Sequence, residues 1–194
     1  MKQLLLSLAL VLCLGIGAAT AQTSDPENTL YLTLKDGKVV IRLRPDLAPA
    51  HVARIKELTR KGFYDGLVFH RVIDGFMAQT GDPTGTGRGG SGQNIKAEFS
   101  SAHFARGVVG MARASDPDSA DSQFFIMFAD NSSLDGQYTV WGEVTSGMEF
   151  VDNITRGEPP VSPDKIVKMQ VAADADKAAA PTPTAPAPAA ADGK

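Results

Sequence analysis

The sequence predicts a mainly β protein, built as a closed barrel or a sandwich, with two helices packed against it. Three observations carry this reading. Short apolar runs fill most of the middle of the chain, with period-two alternation over residues 30–34 and 166–171. Glycine- and proline-rich turns separate nearly all of them. Only two stretches carry helical spacing, too few for an α/β layering.

The elements follow in order. Leu30-Tyr31-Leu32-Thr33-Leu34 alternates, Asp36-Gly37 interrupts, and Val39-Val40-Ile41-Arg42-Leu43 resumes, which makes a β-hairpin. Pro49 suits the first turn of a helix, Val52, Ile55 and Leu58 recur at helical spacing, and Gly62 suits its end. Strand candidates follow at residues 67–73, 76–79, 107–112, 123–128 and 138–144. Residues 147–154 read as a second, short helix, and Ile166-Val167-Lys168-Met169-Gln170-Val171 as the last strand. In Phe124-Phe125, alternation sends the two rings to opposite faces, so at most one faces any given pocket.

The two ends differ from the middle. Residues 1–21 read as a cleaved export signal: Lys2, an apolar run over 4–16, then Ala19-Thr20-Ala21 as the cleavage site. The run is short for a membrane span, so no stable anchor is expected. Cleavage removes Cys13, the one cysteine, which leaves no thiol or disulfide chemistry. It also removes Lys2, taking the formal charge from −3 to −4. A mildly acidic chain with no basic stripe argues against nucleic-acid binding. Residues 22–28 form a short lead. Residues 172–194 are rich in Ala, Pro and Thr and are expected to be an extended, disordered tail. About 150 residues remain between, enough for one domain with its own core.

Most routes to chemistry are closed. The run Gly85-Thr86-Gly87-Arg88-Gly89-Gly90-Ser91-Gly92 lacks the Gly-Lys-Ser/Thr ending of a phosphate loop and reads as a surface loop. His51, His70 and His103 are too scattered for a metal site. No serine sits in a nucleophile elbow, and no carboxylates pair at suggestive spacing. What remains is Phe69-His70-Arg71-Val72-Ile73-Asp74-Gly75-Phe76-Met77-Ala78-Gln79: a basic side chain in a β-like run, then an apolar pair and an amide. By residue type alone, Arg71 is better explained as a solvent-facing residue and Phe76-Met77 as core.

Several separated segments then match one pattern in order. They are Phe69-His70-Arg71-Val72-Ile73, Gly75-Phe76-Met77-x-Gln79-x-Gly81-Asp82, Gly85-Thr86-Gly87, Met111-Ala112-x-Ala114, Ser122-Gln123-Phe124-Phe125-Ile126, and Leu134-Asp135-Gly136 leading into Val140-Trp141-Gly142. Through them residues 29–171 resemble the cyclophilin family of peptidyl-prolyl isomerases. The resemblance implies a closed eight-stranded antiparallel β-barrel capped by two α-helices. It implies isomerisation of X-Pro bonds without metal or cofactor, with Arg71 as the catalytic residue. Phe76, Met77 and Phe125 match the family's proline pocket, and Leu134 its apolar wall. Gln79 and Gln123 match its polar contacts to the substrate backbone, and Ala112 and Arg113 the ledge under the residue before proline. Tyr138 stands where the family often has histidine.

Four positions depart from the pattern. Asp74 replaces a common proline, Arg113 an asparagine, and Tyr138 that histidine. Ser133 stands where cyclosporin-sensitive members carry tryptophan, so weak cyclosporin binding is expected. With the export signal, the chain is similar to exported bacterial cyclophilins. The expectation is therefore a monomeric periplasmic isomerase acting on X-Pro-containing polypeptides during folding. The alternative is a non-catalytic chaperone that binds proline segments.

Overall fold

The computed structural model describes residues 25–179. The signal-peptide reading and the tail beyond Ala179 lie outside the described residues.

The first hairpin forms where Asp36-Gly37 places it. Strand β1 (Thr29–Thr33) pairs antiparallel with β2 (Lys38–Leu43), from Thr29 opposite Arg42 to Thr33 opposite Lys38. Leu30, Leu32, Val39, Ile41 and Leu43 turn inward and are buried. Helix α1 (Pro49–Arg60) follows, with His51, Val52, Ile55 and Leu58 on its buried face. Ala48 offers no side-chain cap. The Glu98 carboxylate does so from a distance, accepting the N–H groups of Ala50 and His51 at 3.0 Å each.

The remaining strands are β3 (Arg71–Ile73), β4 (Met77–Thr80), β5 (Val108–Met111), β6 (Phe124–Met127), β7 (Val140–Ser146) and β8 (Lys168–Val171). Helix α2 (Met148–Asp152) lies between β7 and β8. It starts at Gly147, whose φ of 84° suits glycine and whose missing side chain clears the Lys38 carbonyl. The eight strands form one antiparallel sheet in the order β3-β4-β6-β5-β7-β2-β1-β8. The main core fills its inner face, where the rings of Phe124 and Trp141 meet edge to face at 5.3 Å.

Two expectations are corrected here. The barrel is open, because no ladder joins β3 to β8. The outer edge of β3 is occupied instead: Val72 and Gly157 exchange both backbone hydrogen bonds at 2.8 Å. Val68 also lies opposite Lys165, with the Phe69 N–H donating to the Asp164 carbonyl and the Ile166 N–H to the Leu67 carbonyl, both at 2.9 Å, so residues 67–70 run beside an irregular segment and do not extend the strand. The second correction concerns the tail. Residues Ala172–Ala179 form a third helix, α3. The prolines begin only at Pro181; before them the stretch is alanine-rich and helix-favouring. Ala172 is buried, and Asp174 takes the Arg60 guanidinium at 2.8 Å. Among the described residues, no helix is long and apolar enough to cross a membrane.

Candidate active site

The site lies on the outer face of the sheet, and the β3–β4 hairpin builds it. Pairing sets Arg71 opposite Gln79, Val72 opposite Ala78 and Ile73 opposite Met77. Alternation sends Val72 and Ala78 into the main core and the other four to the opposite face. The next ladder sets Gln79 opposite Phe125, and the one after sets Phe125 opposite Gly110. Arg71, Gln79, Phe125 and Gly110 thus form one row across four strands.

Phe124 and Phe125 separate as alternation requires: Phe124 joins the main core, and Phe125 a second, smaller cluster with Met77, Phe104, Val108, Met127 and Val140. Gly110 makes room for that cluster. A Cβ there would lie 2.5 Å from Phe125 Cζ and 2.6 Å from Phe104 Cε1. The two rings stack at 5.8 Å, and Tyr138 meets Phe125 edge to face at 5.8 Å.

Above this cluster opens a cavity of about 230 Å³, lined by Arg71, Phe76, Met77, Gln79, Ala112, Arg113, Phe125, Leu134 and Tyr138. This is smaller than typical drug-sized pockets of roughly 300–1,000 Å³, and suits a single ring. Leu134 reaches it from the short turn Ser132–Leu134, which Asn131 caps by accepting the Ser133 N–H. Ser133 is exposed and donates its hydroxyl to Asn131 at 2.6 Å.

The tenth candidate, Gln123, lies outside this cavity. Its amide donates to the carbonyls of Gly87 and Gly89 at 3.1 and 2.8 Å, and its oxygen accepts from the Gln79 amide at 2.9 Å. It lines an adjoining cavity of about 440 Å³, walled by the glycine-rich loop and sharing Gln79, Ala112 and Arg113 with the first. Gln123 therefore ties the loop to Gln79.

The charged groups are well defined. Arg71 is half-exposed, and its Nε donates to Glu158 Oε2 at 2.8 Å. Among the described residues its two terminal nitrogens have no partner. The neighbouring His70 is buried, and burial pushes its pKa down, so it is neutral at pH 7 and adds no charge beside Arg71. Arg113 lies over the Tyr138 ring at 4.6 Å and donates to the Gln137 carbonyl at 3.0 Å. Asp74 points away from the cavity to Arg156, at 3.1 Å.

Three residues that shape the site were not picked out from the sequence. Glu158 is 87 positions from Arg71 and carries no local signal. Phe104 is one apolar residue among many. Gly110 did leave a trace, since a lone glycine inside an apolar strand marks a close approach.

Fold and site together define a β-sheet protein with a small, largely apolar-walled slot beside a guanidinium held at its Nε. The profile of the family described as "Cyclophilin type peptidyl-prolyl cis-trans isomerase/CLD" matches residues 29–171. The chain is 52% identical over 187 residues to a probable peptidyl-prolyl cis-trans isomerase of Brucella suis biovar 1, covering 87% of this chain and 95% of that one. The crystal structure of the cyclophilin AquaCyp293 from Hirschia baltica is similar, with a TM-score of 0.71 and 31% identity over 77% of this chain and 76% of that one. A Cryptosporidium parvum cyclophilin-type isomerase, crystallised in the presence of the dipeptide Ala-Pro, has a TM-score of 0.69 and 28% identity over 74% of this chain and 98% of that one. The chain belongs to the cyclophilin family and is a peptidyl-prolyl cis-trans isomerase.

Proposed function

We propose that Arg71 drives this isomerisation by binding the twisted X-Pro bond better than either planar form. The observation that carries the reading is Arg71 at the mouth of the apolar cavity, held at Nε and with both terminal nitrogens unpartnered among the described residues. Rotation about an X-Pro bond is slow because the amide has partial double-bond character, with a barrier of roughly 18–20 kcal/mol and uncatalysed times of about 10–100 s. In the transition state resonance is lost, and the proline nitrogen becomes a better hydrogen-bond acceptor. A guanidinium already aimed at that nitrogen stabilises this state selectively. Phe76, Met77, Phe125, Leu134 and Tyr138 hold the ring while the preceding carbonyl turns. Gln79 and the Ala112–Arg113 edge hold the backbone before it. No proton is transferred. The Ala-Pro dipeptide used with the Cryptosporidium parvum relative is a ligand of the expected class.

A module that only held proline segments needs the apolar wall and not the guanidinium, so Arg71 favours catalysis over passive binding. We read the protein as a monomer exported to the periplasm, where X-Pro bonds of folding proteins are its substrates. The support is Lys2, the apolar run over 4–16 and Ala19-Thr20-Ala21. Weak cyclosporin binding is expected from Ser133.

The test is the cis-to-trans rate of a short X-Pro peptide with wild type, Arg71→Ala and Arg71→Lys. The expected result is strong acceleration by wild type, largely lost in both folded variants, because a lysine ammonium lacks the rigid fork. Full activity in folded Arg71→Ala would overturn the mechanism.

A further inference from the structure

The described residues contain nine arginines. Seven of them, Arg71 included, are ion-paired with an aspartate or glutamate. The two that have no carboxylate partner among the described residues, Arg88 and Arg113, line the same cavity: the 440 Å³ space adjoining the proline slot. In a chain of net charge −3 whose other arginines are all neutralised, this concentrates unpaired positive charge at one place.

The remaining groups there do not cancel it. Arg113 donates only to the backbone carbonyls of Gln137, Ala114 and Ser115, which orient the guanidinium without offsetting its charge. Arg88 is exposed on the glycine-rich loop. Asp121 is the one carboxylate lining the cavity. It already accepts the N–H groups of Ser91 and Gly92, at 3.0 and 2.8 Å, and the Ser91 hydroxyl. Two guanidiniums face one engaged carboxylate.

We propose that Arg88 and Arg113 select substrates carrying an acidic side chain just before the X-Pro unit. The proposal rests on the proline cavity being where the X-Pro bond turns. The two cavities share Gln79, Ala112 and Arg113, so a chain seated in the first runs into the second along the Ala112–Arg113 edge. A glutamate there finds two guanidiniums, whose forked donors fit a carboxylate. A lysine there meets like charge. The cavity is open to water, so the effect is modest and weakens with salt.

The test compares the acetyl-capped peptides Glu-Ala-Pro-Phe, Gln-Ala-Pro-Phe and Lys-Ala-Pro-Phe as amides, since a carboxylate cap would itself supply the charge. The readout is the ratio of kcat/KM for the Glu and Gln peptides within each protein, so general losses cancel. Wild type is expected to favour the Glu peptide roughly fivefold at low salt, the combined effect of one exposed and one half-exposed ion pair. The Lys peptide is expected to be the slowest, and the ratio to fall close to one in R88Q/R113Q. Equal rates for the Glu and Gln peptides with wild type, both well above background, would overturn the proposal. So would a ratio that survives in the double variant. If neither peptide is accelerated, the catalytic reading fails, and titration of wild type with the two peptides still decides this one: equal affinities overturn it.

Discussion

Arg71 and Glu158 face each other across an antiparallel bridge, with Nε and Oε2 2.8 Å apart. The antiparallel bridge between Val72 and Gly157 places them so, one step along each chain. The irregular segment that fills the open edge of the sheet therefore also fixes the head of the arginine at the proline slot. With Nε engaged, the terminal nitrogens have no partner among the described residues, and in the proposed mechanism they face the substrate.

Loss of this anchor is expected to slow the bond rotation more than it weakens binding. Glu158→Ala frees the guanidinium to rotate, and one charge-assisted hydrogen bond of about 1 kcal/mol corresponds to roughly a fivefold fall in kcat. KM is expected to stay close to that of wild type, because the apolar wall is intact. Glu158→Gln keeps an oxygen acceptor and is expected to recover much of the loss. Peptide kinetics on the three proteins check this; a rise in KM at unchanged kcat would count against a positioning role.

Gly110→Ala is expected to damage the pocket from beneath. The added methyl would fall 2.5 Å from Phe125 Cζ and 2.6 Å from Phe104 Cε1, and both rings are buried. Overpacking of this kind costs about 1–3 kcal/mol. The expected result is a lower Tm together with a higher KM, since the displaced Phe125 ring is a wall of the slot. Crystallography of the variant, or peptide titration, distinguishes this from loss of fold.

What was readable in the sequence is what depends on neighbours along the chain. The Asp36-Gly37 hairpin, the Val52, Ile55 and Leu58 face of α1 and the separation of Phe124 from Phe125 all follow from local periodicity. The resemblance then named the residues that line the slot. Long-range pairings were not readable. Glu158 reaches Arg71 only because Gly157 takes the edge that would otherwise have closed the barrel. That the Gln123 amide donates to the carbonyls of a loop some 35 residues earlier was not readable either. The cavity between Arg88 and Arg113 exists only once that loop is folded back.

The boundary at Ala172 is testable by truncation. Ending the chain at Val171 removes buried Ala172 and the Asp174 partner of Arg60, which is expected to cost about 1 kcal/mol and lower Tm by roughly 2–4 °C. Ending it at Ala179 keeps both and is expected to leave Tm unchanged. Isomerase activity is expected to survive in either, since α3 lines neither cavity of the site. Equal melting temperatures for the two truncations would show that α3 adds nothing to the fold.

The loop that walls the second cavity is held by Asp82, and this gives it a pH limit. Burial works against the charge of this side chain, which is 1% exposed. The N–H and hydroxyl of Thr84, at 2.7 and 2.8 Å, and the N–H groups of Thr86 and Gly87, at 3.0 and 2.6 Å, outweigh it. They hold the carboxyl at about 2, below its ordinary 3.8. Because the folded value is the lower one, the stabilisation is complete above about pH 4 and is lost as the pH falls from there through 2. The depression corresponds to about 2 kcal/mol. Asp82→Asn lacks the charge at every pH, so it is expected to be less stable than wild type at pH 7. Denaturant unfolding at pH 7, 4, 3 and 2.5 is expected to show the gap between the two proteins closing only below pH 4. Other carboxylates titrate in both proteins alike, so the difference isolates Asp82. A gap that stays constant to pH 2.5 would mean that the ionised carboxylate is not what holds the loop.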